Sequence, residues 1–181
     1  MNGVDGRPAM RVVGVALEWR TAGSVELMID ASPEKLYASL TDVMSVGDRS
    51  DECRSASWLP GARGPGQVGS RFRGHNRAGL VRWSRVCEIL VADPDRQFTF
   101  RTVPERFDLS RADSTTWRYE LTPTEGGTLV RHSYEITRLP RGPFKPLYAV
   151  LFPHHRDMRP AMSVTLQRLA ANLGGLGSKG Q

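Results

Sequence analysis

The 181-residue chain has little cysteine, little lysine and no long apolar run. Only Cys53 and Cys87 occur, both in segments that read as strands. Two thiols are too few for a disulfide scaffold or a zinc site, and they suit a reducing cytoplasm. No apolar stretch approaches the roughly 18–20 residues that a membrane span requires, so the expectation is a soluble protein without a membrane span. The run VVGVAL ends at Glu18 without a small-residue cleavage pattern, which argues against a secretory signal. No internal repeat is present, and one domain fits the length. Residues 1–22 read as a flexible N-terminal arm, 23–174 as the domain and 175–181 as a disordered glycine-rich tail.

Lysine stands only at positions 35, 145 and 179, so 22 of the 25 basic residues are arginine. The net charge of +6 raises the question of a phosphate-rich partner. The arginines are spread among 19 acidic residues rather than gathered on one helix or loop. No specific nucleic-acid binding is expected from that pattern; a solvated basic surface accounts for it.

Alternation with a period of two dominates the middle of the chain. SVELMID, Ser24 to Asp30, reads as a strand, and SPEKLYASLTDV as a helix with Ser32 at the N-cap, Pro33 at the first helical position and Glu34 in the first turn. ECRSASWLP and a glycine-rich loop follow. QVGSRFRGHN then puts Arg71, Arg73 and His75 on one face and Ser70, Phe72 and Gly74 on the other. In LVRWSRVCEILVA the odd positions carry Val81, Trp83, Arg85, Cys87, Ile89 and Val91. QFTFRT, then Trp117, Tyr119 and Leu121, then Val130, His132, Tyr134 and Ile136 continue the pattern across turns at DPDR and TEGG. Such a series predicts an antiparallel meander with one packed and one solvated face. From Phe144 the apolar spacing becomes three or four, as a helix needs. Pro153 and Pro160 predict a kink or break near each, with the most regular part from Pro160 to Leu173.

Gly64, Gly66 and Gly69 match G-x-G-x-x-G, but the residues after them alternate as a strand. A dinucleotide site needs a helix there, and a kinase-type glycine loop needs a lysine on a later strand, where none occurs between Lys35 and Lys145. These glycines are better explained by unusual backbone angles. His154, His155 and Asp157 invite a metal reading, but adjacent histidines on a helix point about 100° apart. No metal site and no cofactor are expected.

The informative feature is polarity on the apolar face. Arg85 shares the inward parity of Trp83 and Cys87. Either it bonds a neighbouring acid or reaches water near a strand end, or it faces a cavity and binds a carboxylate or enolate oxygen of a ligand. Tyr119, His132 and Tyr134 point inward by the same argument. Each suits a mostly apolar pocket or an ordinary core with satisfied polar tips.

Together with the order of elements, ASPEKLYASLTDV, GPGQVGSRFRG, RWSRVCEILVADPDRQFTFRT, STTWRYELTPTEGGTLVRHSYE and MRPAMSVTLQRLAANL resemble the START-like (SRPBCC) superfamily, and within it the polyketide cyclase/dehydrase and lipid-transport group. The resemblance spans about residues 24–173. It includes the Asp93-Pro94 turn, the Gly126-Gly127 turn and the T-L-x-R-L pattern from Thr165 to Leu169. It implies an α+β helix-grip fold, a curved antiparallel sheet wrapped around a long C-terminal helix with a hydrophobic cavity between them. A small hydrophobic ligand is then expected to meet Trp58, Phe72, Trp83, Phe98, Phe100, Trp117, Tyr119, Tyr134, Met158 and Met162. If the protein is instead an aromatase/cyclase or dehydratase, Arg85 stabilises an enolate and Tyr119, His132 or Tyr134 moves a proton. A third possibility is an interaction module that uses the basic face of the sheet. The sequence carries no signal for an oligomeric state.

Overall fold

A computed structural model describes residues 20–105, 113–138 and 156–174. In it the alternating segments become the seven strands of one sheet: β1 (Ala22–Ile29), β2 (Cys53–Trp58), β3 (Arg71–Ala78), β4 (Val81–Asp93), β5 (Gln97–Thr102), β6 (Ser114–Thr124) and β7 (Gly127–Arg138). All neighbours pair antiparallel, in the order β1-β7-β6-β5-β4-β3-β2. From β2 to β7 the chain is a meander. Between β1 on one edge and β2 on the other it crosses through α1 (Pro33–Thr41), a 3-10 turn (Val43–Ser45) and the single turn α2 (Val46–Arg49). The helix α3 (Arg159–Gly174) lies against β1 and α2 in the grip of the curved sheet.

The core follows from the alternation. Phe72, Ile89, Phe98, Leu121 and Val130 from the inner face meet Leu36 and Leu40 of α1 and Leu166 and Leu169 of α3. Each of those fully buried leucines contributes roughly 1.5–3 kcal/mol by leaving water. The outer face keeps its arginines in solvent, where Arg71 and Arg101 reach Glu88, Arg73 reaches Glu105 and Arg131 reaches Glu26. These exposed pairs each contribute little, but they leave that face studded with both signs of charge.

Several expectations are refined. Ser32 has the extended N-cap backbone, yet its side chain makes no capping bond, while Pro33 does open α1. Gly64, Gly66 and Gly69 all have positive φ, and a strand follows them. Gly127, at φ 123°, also lies so close to β1 that an added Cβ would overlap the Ile29 carbonyl oxygen. Pro160 does not kink α3. It is the second residue of the helix, where its missing N–H leaves no hydrogen bond broken. A bulge in β4 between Ile89 and Val91 reverses the parity, so Ala92 rather than Val91 packs on the core. Ala22 is already in β1, the Arg20 amide donates to Arg156 O at 3.0 Å and the Ile136 amide to Thr21 O at 2.7 Å. Residues 1–19, the helical reading from Phe144 through Pro153, His154 and His155, and the tail 175–181 lie outside the described residues.

Candidate functional site

Between sheet and α3 lies a cavity of about 200 Å³. Its floor is the inner face of the strands: Phe72, Gly74 and Asn76 on β3, Trp83, Arg85 and Cys87 on β4, Phe100 and Thr102 on β5, Thr115, Trp117 and Tyr119 on β6, His132 on β7. Met158 and, from α3, Ala161, Met162 and Thr165 form the roof. One side wall comes from Val46 and Arg49 of α2 and the segment through Cys53. An apolar cavity of about 150 Å³ accommodates benzene, so this one has room for a compact ring system.

Of the residues expected on sequence grounds, Phe72, Trp83, Arg85, Phe100, Trp117, Tyr119, His132, Met158 and Met162 share this lining. Trp58, Phe98 and Tyr134 stand outside it. Trp58 packs edge-on against Phe72 from the side, with ring centres 5.9 Å apart. Phe98 has the inward parity of Phe100 but lies one step further along the strand, in the closed core with α1. Tyr134 donates its hydroxyl to Arg20 O at 3.1 Å, anchoring the chain that enters β1. Tyr134→Phe is therefore expected to cost about 1 kcal/mol of stability in a chemical denaturation curve and to leave ligand affinity unchanged. A several-fold loss of affinity would return Tyr134 to the cavity.

Arg85 is 8% exposed, and its guanidinium is committed. Nη1 donates to Asp113 Oδ1 at 2.5 Å and Nη2 to Asp113 O at 2.8 Å. Asp113 is held there by the knot of bonds that follows it: Ser114 Oγ to Thr102 O at 2.8 Å, and the Thr115 amide to Thr102 Oγ1 at 2.8 Å. Of the two alternatives for Arg85, the bond to a neighbouring acid is present, and the pair borders the cavity all the same. Of the three guanidinium nitrogens of Arg85, Nε alone has no hydrogen-bond partner among the described residues.

Arg49 is invisible to alternation because it ends a single helical turn. It is 6% exposed and hydrogen-bonds neutral oxygens alone: Leu40 O at 3.1 Å, Asp42 O at 3.3 and 3.4 Å and Ser45 Oγ at 3.2 Å. The carbonyls belong to the end of α1, whose partial negative charge suits a cation. Burial lowers its pKa from the ordinary arginine value, yet a guanidinium stays charged at any physiological pH.

His132 lies flat on Tyr119, with ring centres 4.0 Å apart and planes 15° apart. Burial, with the nearby charge of Arg49, pushes the imidazole down to about 3, so it is neutral. Neither of its ring nitrogens has a hydrogen-bond partner among the described residues. Burial pushes the Tyr119 phenol up to about 12 and the thiols of Cys53 and Cys87 up to about 11 and about 12, so all three keep their protons. The site thus combines aromatic walls, two cations of which one is paired, and neutral polar tips. Among the described residues no cluster of three or more His, Cys, Asp or Glu could hold a metal. Asp157 is taken by Arg159 at 2.6 Å and Arg20 at 3.5 Å.

Parity and spacing are signals enough for Cys87 and Gly74, which share a face with residues already singled out. Asn76, Thr102 and Thr115 extend the same faces, whereas Arg49 and Asp113 sit outside any periodic run.

A family model described as "Polyketide cyclase / dehydrase and lipid transport" matches residues 20–174. Among solved structures the chain resembles the di-domain ARO/CYC StfQ of the steffimycin biosynthetic pathway, at a TM-score of 0.65 and 12% identity over 87% of this chain and 51% of that one. It resembles TTHA0849 from Thermus thermophilus, at a TM-score of 0.65 and 19% identity over 87% and 99%. A START superfamily protein from Mycobacterium smegmatis gives a TM-score of 0.61 and 13% identity over 86% and 98%. At such identities these likenesses show the fold alone. No match was found among curated proteins.

Proposed function

The chain belongs to the polyketide cyclase/dehydrase and lipid-transport family, and on that premise we propose that it binds a small, largely apolar molecule in the cavity between sheet and α3. The observation that carries this reading is a cavity of about 200 Å³ walled largely by Phe72, Phe100, Trp117 and Met162, with the stacked rings of Tyr119 and His132 in its lining.

The cyclase or dehydratase reading has less support. Arg85 is occupied by Asp113, the Tyr134 hydroxyl by a main-chain oxygen, and a base near 3 or an acid near 12 is poorly matched to proton transfer at neutral pH. The interaction-module reading has less support as well, because Arg71, Arg73, Arg101 and Arg131 of the outer face each reach a glutamate. No described helix is long and apolar enough to cross a membrane. The free thiols of Cys53 and Cys87 fit a cytoplasmic setting.

Native mass spectrometry of the purified protein, followed by solvent extraction, tests the proposal. A stoichiometric adduct that is released on denaturation is the expected result. A protein that is empty and shows no thermal shift with a panel of lipids and polyketide-like aromatics would sink it.

A further inference from the structure

The two arginines of the cavity lining are matched unequally. Arg85 is matched by Asp113, and the exposed Asp51 of the side wall is matched by Arg168 at 2.8 Å. Arg49 has no such match: among the described residues it bonds only carbonyl and hydroxyl oxygens, and its nearest acids, Asp42 and Asp48, are exposed. A buried guanidinium without a counter-charge keeps a desolvation cost that a buried anion would offset.

The groups beside it complete the pattern. Arg49 shares the cavity lining with Tyr119 and His132, which are stacked on each other. The Tyr119 hydroxyl makes no hydrogen bond among the described residues, and the His132 ring lies flat against the Tyr119 ring. A cation without a salt bridge and a hydroxyl free to donate, in the lining of one cavity, suit a negatively charged oxygen.

We propose that the part of the cavity lined by Arg49 and Tyr119 receives one anionic oxygen group, and that the ligand is a small aromatic carboxylate whose ring lies between Phe100, Trp117 and Met162. The ring fits the volume of about 200 Å³. The carboxylate fits the one cation the protein leaves without a counter-charge among the described residues of the lining. This inference rests on the binding proposal above and adds the charge of the ligand and the residues that read it. It also places the anion contact at Arg49 rather than at Arg85, the inward arginine that parity singles out.

The test is isothermal titration calorimetry at neutral pH with three probes of one shape: 2-naphthoate, 2-naphthamide and methyl 2-naphthoate. The acid is expected to bind at least about ten-fold more tightly than the amide or the ester, the range of a charge-assisted contact. Tyr119→Phe, which removes one oxygen and keeps the stack, should weaken naphthoate about ten-fold and naphthamide by much less. Arg49→Met should erase the preference for the acid, whereas Arg49→Lys should retain part of it. Arg49 also caps α1, so circular dichroism must show that these two variants are folded. If they are not, the wild-type ratio and Tyr119→Phe decide the matter. If Arg49 is purely a helix cap, its variants move stability alone and the wild-type protein binds acid and amide equally. That equality, or a preference for the amide or ester, overturns the anion receptor and leaves the binding proposal standing. If no probe binds and native mass spectrometry finds the protein empty, both fall.

Discussion

Replacing Asp113 by alanine is expected to remove about 3–5 kcal/mol of folding stability, the cost of stranding a buried cation. The side chains of Arg85 and Asp113 are only 10% and 13% exposed, so water cannot solvate the guanidinium in place of the carboxylate. Asp113→Asn should cost less, because it keeps the main-chain oxygen contact and one side-chain acceptor. The double change Arg85→Leu with Asp113→Leu should also cost less than Asp113→Ala alone. Removing both partners removes the desolvation cost together with the attraction. Urea unfolding followed by circular dichroism reads all three. A loss below about 1 kcal/mol for Asp113→Ala would mean that the pair behaves as an exposed one.

The second large effect is on acid stability. His132 titrates near 6.5 when unfolded and near 3 when folded, so the folded state resists a proton that the unfolded state accepts. Stability from this group is therefore full above about pH 6.5 and falls as the pH drops from there toward 3. At pH 5 the unfolded chain gains about 1.4 kcal/mol for each of the 1.5 units below its ordinary value, or about 2 kcal/mol. His132→Phe preserves the stack on Tyr119 and removes the proton site. Its unfolding free energy should be flatter than that of the wild type between pH 7 and 5 by that amount. Parallel curves for the two proteins would show that His132 is hydrated and titrates normally. The carboxylates titrate in both proteins and cancel in the comparison.

Alternation reads the sheet well because a strand has only two faces. The inward positions of Phe72, Arg85, Tyr119 and His132 follow from counting by two, and the structure buries all four. Where the counting slips, the cause is local: the bulge after Ile89 inserts a residue and exchanges Val91 for Ala92. The start of α1 at Pro33 and the switch to helical spacing before α3 are equally short-range. Parity is silent, however, about what covers a face at each point along its length. Phe98 and Phe100 have the same parity and neighbouring places, yet one is core and the other is cavity wall. Tyr134 faces inward and ends on a main-chain oxygen of the entering chain.

Sequence alone thus determines the order of elements, the sidedness of each strand, the need for glycine in the loop before β3 and the family to which the chain belongs. These depend on residues within a few positions of one another or on a pattern carried along the whole chain. Tertiary structure decides which charges are paired. Arg85 meets an acid 28 residues away, and Arg49 turns into the cavity from a single helical turn to stand near Tyr119 and His132 on strands far along the chain. Such encounters depend on how the crossing segment and α3 close over the curved sheet. That closure is set by packing among distant residues, and no local spacing encodes it.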